Sequence, residues 1–275
     1  TGWFNSGSAI GSIVAPLIVT GITLSLGWRW AFIITGALGI IWIICWLLLY
    51  HQPHEQLDNG NSGKKTIKAS GSGISWRELF MHRQTYVICT TRFLSDWVWW
   101  FFLFWTPDFL NKTHGIDMKQ SVLPLIVIYS MASLGGIAGG WLSSKLISMG
   151  VSIDKARKRA ILACAIVVLP VMLVPGIHNL WISVWLIAFA CAGHSGWASN
   201  IFTVVSDIYP ENAIGSMTGL AGFAAATGGA LSASFVGLIL DLTGSYFVIF
   251  ALASMVYLVN YILLRTLIPE IRPLD

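Results

Sequence analysis

Long apolar runs separated by short polar segments dominate the chain. Eight of these runs are long enough to cross a bilayer, since a spanning helix needs about 20 mostly apolar residues. They cover residues 3–26, 31–50, 86–105, 122–142, 160–177, 181–205, 214–240 and 245–267. Apolar residues are continuous within each run rather than alternating with a period of two, which argues against an outer-membrane barrel. The pattern predicts an all-α membrane protein.

The polar segments predict how the helices are grouped and oriented. The longest segment, 51–85, is rich in Gly, Ser and Asn and predicts a flexible linker, with a short amphipathic helix over 76–80. This segment, segment 143–159 and the C-terminal tail together carry twelve of the sixteen Lys and Arg residues. By the positive-inside rule we expect the linker and the termini to be cytoplasmic.

Composition agrees with this class and limits the possible chemistry. The chain is 56% hydrophobic and 10% charged, whereas soluble domains carry about 25% charged residues. Its net charge of +4 requires no nucleic-acid partner. The four cysteines lie inside apolar runs and their spacing offers no metal or disulfide framework. No nucleophile elbow, P-loop or HExxH motif is present, so we expect no enzyme activity, cofactor or metal.

Two charged residues lie inside the third apolar run, where charge is costly. Arg92 and Asp96 are four residues apart, so their side chains share one helix face and can pair. A charge at membrane depth costs about 2.5–3.5 kcal/mol on insertion scales, so such residues usually face a partner or a wet cavity. The pair therefore indicates either a functional cavity or a contact that only tightens helix packing.

A second polar cluster lies in the sixth run, over residues 192–204. Arg binds carboxylates bidentately, Trp faces sugar rings, and Asn, Ser and His bond hydroxyl groups, so the combined set suits a hydroxylated carboxylate. The candidate substrate-binding residues are Arg92, Asp96, Trp100, His194, Ser195, Trp197 and Asn200. The alternatives are a core histidine bonded to a carbonyl group, a packed indole, and hydroxyl or amide bonds between helices.

Small residues in the fourth run predict close helix packing. A doubled GxxxG pattern consists of Gly135, Gly136, Gly139 and Gly140. In lipid, such a stripe lets two helix backbones approach each other closely, whereas it says little about any ligand.

Four segments resemble a known transporter family. GWFNSGSAIGSIVAPLIV and GWRWAFIITGALGIIWIICWLLLY, at residues 2–19 and 27–50, resemble the fifth and sixth helices of major facilitator superfamily transporters. TRFLSDWVWWFFLFWTPDFL, at 91–110, and AGHSGWASNIFTVVSDIYP, at 192–210, resemble the seventh and tenth helices. The likeness is greatest to the anion:cation symporter branch, which contains the hexuronate and sugar-acid transporters.

The resemblance implies a helical bundle of two six-helix halves joined by a cytoplasmic linker. On this basis about eight of twelve spanning helices are present, and the chain is expected to be N-terminally truncated. Residues 1–50 correspond to the last two helices of the N-terminal half, 51–85 to the linker and 86–275 to the C-terminal half. The family's proton-coupling acid and a substrate-binding arginine would then lie in the absent helices.

The implied function is proton-coupled uptake of a sugar acid, such as glucuronate or galacturonate, by alternating access. The implied partners are the anionic substrate, protons and the lipid bilayer. We expect a monomeric, multi-pass protein of the inner (plasma) membrane. Two alternatives stay open: transport of another anion, such as galactonate, glucarate or phosphate, and a non-transporting membrane scaffold.

Overall fold

Nearly all of the described chain is helical. The computed structural model describes residues 2–49, 76–117 and 119–274. Its helices are α1 (Gly2–Leu26), α2 (Trp28–Leu49), α3 (Trp76–Met81), α4 (Arg83–His114), α5 (Val122–Ser148), α6 (Ile153–Val168), α7 (Leu180–Ile208), α8 (Glu211–Thr243) and α9 (Phe247–Leu267), and α6 continues as a 3₁₀ helix over Leu169–Gly176. The predicted all-α class is confirmed, whereas residues 51–75 of the linker predicted over 51–85 lie outside the described residues.

Six of the helices in the described part are both long and apolar enough to span a membrane. These are α2, α5, α6 with its 3₁₀ continuation, α7, α8 and α9. The other two predicted spans, α1 and α4, are long enough at 25 and 32 residues. In α4, charged and polar side chains dilute the apolar character, and in α1 the stretch Val14–Leu26 is apolar.

The contact between α5 and α7 depends on glycine at two of the four predicted positions. A Cβ atom on Gly139 would lie 2.5 Å from the Cα of Gly196, and one on Gly135 would collide with the backbone of Ala192. Gly136 has ordinary clearance and Gly140 has no neighbour within 4 Å. One face of the doubled motif therefore brings the two backbones into direct contact, as predicted for small residues in lipid.

A second close contact joins α4 to α8. A Cβ atom on Gly228 would collide with the carbonyl oxygen of Phe93, and one on Gly229 would collide with the indole of Trp100. Helix α6 packs on α7 at Gly193, where a Cβ would lie 2.9 Å from the carbonyl oxygen of Cys164. Helix α7 is thus held between α5 and α6, and helix α1 attaches to the bundle chiefly through α5.

Hydrogen bonds fix the start of α4 to the end of α7. The Thr85 hydroxyl donates to the carbonyl oxygen of Leu79 in the short helix α3, at 2.6 Å. It also lies 2.8 Å from the Tyr209 hydroxyl, which must then act as donor because Thr85 has one proton. Burial raises the pKa of Tyr209 to about 12, so this hydroxyl keeps its proton.

The C-terminal tail is tied across the same end of the bundle. Asp154, at the start of α6, accepts a hydrogen bond from the amide of Ile271 at 2.9 Å. Asp154 also pairs with Lys158, whose ammonium group donates to the carbonyl oxygen of Pro269 at 2.6 Å. The amide of Leu274 donates to the carbonyl oxygen of Ile208 at the end of α7. These bonds form a strap over residues 268–274.

We predict that Gly139→Ala destabilises the protein whereas Gly140→Ala does not. The new methyl group at 139 forces the two backbones apart, which we expect to cost about 1–3 kcal/mol. At 140 the methyl has free space, and alanine gains about 1 kcal/mol of helix propensity. The measurement is the apparent unfolding temperature of each detergent-purified variant. Equal temperatures for the two variants would contradict the backbone contact.

We also predict that Asp154→Ala loosens the strap. Loss of a hydrogen bond worth about 1 kcal/mol should speed trimming of the tail by carboxypeptidase about fivefold, as measured by intact mass. Glu270→Gln is the matched control, because Glu270 is exposed within the same segment. Trimming at the wild-type rate in Asp154→Ala would show that this carboxylate does not hold the tail.

Candidate substrate cavity

An open cavity of about 540 Å³ lies between α1, α4 and α5. Its volume falls within the range of about 300–1,000 Å³ that is typical of small-molecule sites. The described part of the wall is mainly apolar, with one indole, one phenol and one aliphatic hydroxyl group among its side chains. The lining residues are Gly11, Ala15, Pro16, Val19 and Thr20 from α1, Trp99 and Leu103 from α4, and Leu125 and Tyr129 from α5.

The Trp99 indole forms the link between this cavity and the core of the bundle. It stacks on the imidazole ring of His194, with ring centroids 5.2 Å apart and planes inclined by only 13°. Nδ1 of His194 lies 2.7 Å from the Tyr257 hydroxyl, within a hydrogen bond. The Tyr257 ring meets the Trp197 indole edge-on at 5.6 Å. A stack of rings therefore leads from the cavity wall into α7 and α9.

Arg92 and Asp96 form the predicted ion pair and are both buried. Nη2 of Arg92 lies 3.2 Å from a carboxylate oxygen of Asp96, and the guanidinium also lies over the Phe202 ring at 4.9 Å. Nε and Nη1 of Arg92 and Oδ2 of Asp96 are buried without a hydrogen-bond partner in the described structure. Since buried charges need full hydrogen bonding to offset desolvation, this pair has unused capacity for a polar ligand or water.

The pair lies on the helix stripe that forms the cavity wall. Residues 92, 96, 99 and 103 follow a spacing of four, three and four, which places them along one face of α4. Trp99 and Leu103 line the cavity, so Arg92 and Asp96 occupy the same face one to two turns toward the start of the helix. A ligand in the cavity would therefore meet an aromatic wall first, with the charges beyond it.

The other predicted site residues lie in helix contacts rather than at the cavity. The Asn200 amide donates to the carbonyl oxygens of Gly139 and Gly196, at 3.0 and 2.9 Å, so it bridges α5 and α7. Trp197 is fully buried, and Ser195 faces Gly136 of α5 across ordinary contact distance. Trp100 points toward α8, against Gly229.

The seven predicted residues therefore divide into three groups. Arg92 with Asp96 forms one cluster, and His194 with Trp197 shares the ring stack around Tyr257. The remaining three, Trp100, Ser195 and Asn200, lie apart from both clusters in helix contacts. None of the seven is among the described lining residues, and their assignment as substrate ligands stays a prediction.

The set of predicted site residues does not include the residues that line the wall. Trp99 follows Arg92 by seven positions and Trp100 follows Asp96 by four, so helix spacing places both near the face of the pair and does not choose between them. Thr20 and Tyr129 carried no comparable signal, since isolated hydroxyl-bearing residues are common in membrane helices. Among the described residues, no group of three or more His, Cys, Asp or Glu could hold a metal ion.

Comparisons with known proteins agree with the helical architecture. Residues 1–233 match the Major Facilitator Superfamily. The chain is 28% identical over 254 residues to the hexuronate transporter of Escherichia coli K12, covering 88% of this chain and 59% of that protein. It is 30% identical over 201 residues to the galacturonate transporter of Dickeya chrysanthemi, covering 70% of this chain and 57% of that protein. The chain thus spans less than two thirds of either relative.

A solved structure gives the same picture of the fold. It is a bacterial homolog of the human lysosomal transporter Spinster, in an inward-facing and unoccupied conformation. The TM-score is 0.59 at 17% sequence identity, and the match covers 95% of this chain and 63% of the other.

We predict that breaking the Arg92–Asp96 pair is more harmful than removing it. Arg92→Met or Asp96→Leu alone leaves an unpaired buried charge, at an expected cost of about 3–5 kcal/mol. The double variant should lose much less, as read from apparent unfolding temperatures in detergent. Lys112→Met is the control, because the Lys112–Asp108 pair is exposed. Losses in the double variant that equal the sum of the single losses would show that the two charges do not interact.

Proposed function

The chain belongs to the Major Facilitator Superfamily, and we propose that the complete protein containing it takes up a sugar acid by secondary transport. Membership of the family is what the sequence resemblance implied, and with the six apolar helices it makes the chain a multi-pass protein of the inner membrane. Relatives named as hexuronate, galacturonate and D-galactonate transporters support a sugar acid as the substrate class.

The observation that carries the proposal is the position of the cavity. By the predicted domain division, α1 belongs to the N-terminal half, whereas α4 and α5 belong to the C-terminal half. The cavity lined by Trp99 and Tyr129 therefore lies at the junction of the two proposed halves. Secondary transporters of this kind bind substrate at that junction and expose it to each side in turn.

The proposed roles follow from charge and burial. Arg92 is the group that attracts the substrate carboxylate, because its Nε and Nη1 donors have no partner in the described structure. Asp96 is its counter-ion and holds the guanidinium in place when no substrate is present. Ser195 and Asn200 lie in the α5–α7 contact, so they could bond substrate hydroxyls only if those helices moved during transport.

Coupling to protons is the finer part of the proposal. Among the described residues, Asp96 is the only buried acidic side chain, and Arg92 neutralises its charge. We therefore propose that the main proton-carrying acid lies outside the described residues, as the family resemblance implies. During alternating access, that acid and the cavity would face one side of the membrane together and then the other side together.

We predict that cells expressing the complete reading frame accumulate labelled glucuronate. The matched control is the same frame carrying Arg92→Gln, which removes the proposed carboxylate ligand and should lower uptake at least tenfold, since a charged hydrogen bond is worth about 1.5–3 kcal/mol. A protonophore should abolish accumulation if protons drive it. Membrane amounts of both variants are compared on immunoblots.

Competition identifies the substrate within the proposed class. Unlabelled galacturonate, galactonate, glucarate and phosphate are added in excess, and the strongest competitor marks the preferred anion. Accumulation of phosphate but of no sugar acid would overturn the substrate class. Absence of uptake for every anion tested, in a protein present in the membrane, would favour the non-transporting scaffold.

A further inference from the structure

We propose that Trp99 is the surface on which the substrate carbon skeleton stacks, and that His194 positions this indole without contacting substrate. The inference rests on the proposed sugar-acid transport and adds a specificity-determining residue to it. It starts from one juxtaposition: the Trp99 indole lines the cavity and is stacked on the His194 ring.

The chemistry of the wall fits one face of a sugar acid. Such a molecule carries hydroxyl and carboxylate groups around its edge, whereas its C–H groups form weakly polar faces. An indole offers a large flat apolar surface with one polar N–H group. The nearby Leu103 and Leu125 extend the apolar wall, and the hydroxyls of Thr20 and Tyr129 supply hydrogen-bonding groups at its margin. Ligand sites commonly combine a mainly apolar lining with a few placed polar groups.

His194 sets the orientation of the Trp99 ring. The His194 imidazole is 5% exposed and lies almost parallel to the Trp99 indole, so stacking restrains the orientation of both rings. Its Nδ1 is engaged by the hydroxyl of Tyr257, which is itself fully buried and meets Trp197 edge-on. Rotation of the imidazole would break that hydrogen bond. His194 is therefore a positioning residue for Trp99.

This arrangement differs from the roles expected from the sequence. His194 was expected to bond a substrate hydroxyl, and Trp100 and Trp197 to contact the sugar. In the structure, Trp197 is fully buried behind Tyr257 and Trp100 packs against α8. Trp99 is the one indole among the described cavity-lining residues.

The test measures KM and the maximal rate of labelled glucuronate uptake in cells expressing the complete reading frame. Trp99→Leu should raise KM about tenfold, the effect of losing one good stacking contact. Trp99→Phe and Trp99→Tyr keep a ring and should give intermediate values. Trp185→Leu is the control, because Trp185 lies exposed on α7 and contacts Phe189 rather than the cavity.

Two substitutions at His194 separate positioning from ligation. His194→Ala removes the ring behind Trp99 and should raise KM about as much as Trp99→Leu does. His194→Phe restores the ring that stacks on Trp99 but not the bond to Tyr257, so it should recover most of the loss and return KM to within about threefold of wild type. If His194 bonded the substrate, phenylalanine would be as harmful as alanine, and the positioning role would be overturned.

The possible failures are distinguishable. Wild-type KM in Trp99→Leu, with uptake intact, would overturn the stacking surface and leave the transport proposal standing. Absence of uptake of any sugar acid by the wild type would overturn both. If Trp99→Leu fails to reach the membrane, Trp99→Phe and Trp99→Tyr test the stacking surface instead. Equal KM values for wild type and these two variants would contradict a dependence on the indole surface.

Discussion

The contact of the α5 and α7 backbones is the constraint on which the described bundle depends. Where Gly139 meets Gly196, no side chain separates the two helices, so their relative position is set by main-chain atoms. Helix α7 carries His194 and α5 carries Tyr129, and the cavity wall follows from how these two helices are held. Because lipid supplies no hydrophobic force between helices, such close packing and the hydrogen bonds it permits must hold them together. Asn200 provides one of those bonds at the same place, to the carbonyl oxygen of Gly139 in α5, and its second bond goes to Gly196 within α7.

The polar side chains inside the bundle include groups that join neighbouring helices and groups that lack a hydrogen-bond partner in the described structure. Asn200 and Tyr257 bond neighbouring helices, and an unpaired polar group in a dry interior would be costly. The Arg92–Asp96 pair is different, because its partnerless atoms belong to charged groups, whereas Asn200 leaves only its neutral amide oxygen without a partner in the described structure. Its position on the cavity-lining face of α4 is why the proposed function gives Arg92 the substrate carboxylate. One face of α4 thus carries both the apolar cavity wall and the buried ion pair.

Much of the fold follows from local patterns, whereas the cavity does not. The lengths of the apolar runs are sufficient to predict the helices. The glycine pattern over 135–140 predicts one close helix contact but not that Gly135 and Gly139 are the two glycines that form it. The pairing of Arg92 with Asp96 followed from their spacing. Whether Trp99 or Trp100 faces the cavity depends on how α4 is rotated about its axis. In a run crowded with aromatic residues, that rotation is fixed only by the packing of α4 on α8. The contribution of α1 arises between helices distant in sequence, and no single run encodes it.

The strap over residues 268–274 affects where a fusion partner can be attached to the protein. Its backbone is bonded to Asp154, Lys158 and Ile208, so the last described residues are held at the rim of α6 and α7. An affinity tag or fluorescent reporter inserted directly after residue 274 would start beside this anchored segment, and its bulk would strain the bonds that hold it. A flexible Gly/Ser spacer before the fusion partner would relieve that tension, since such spacers behave as random coils.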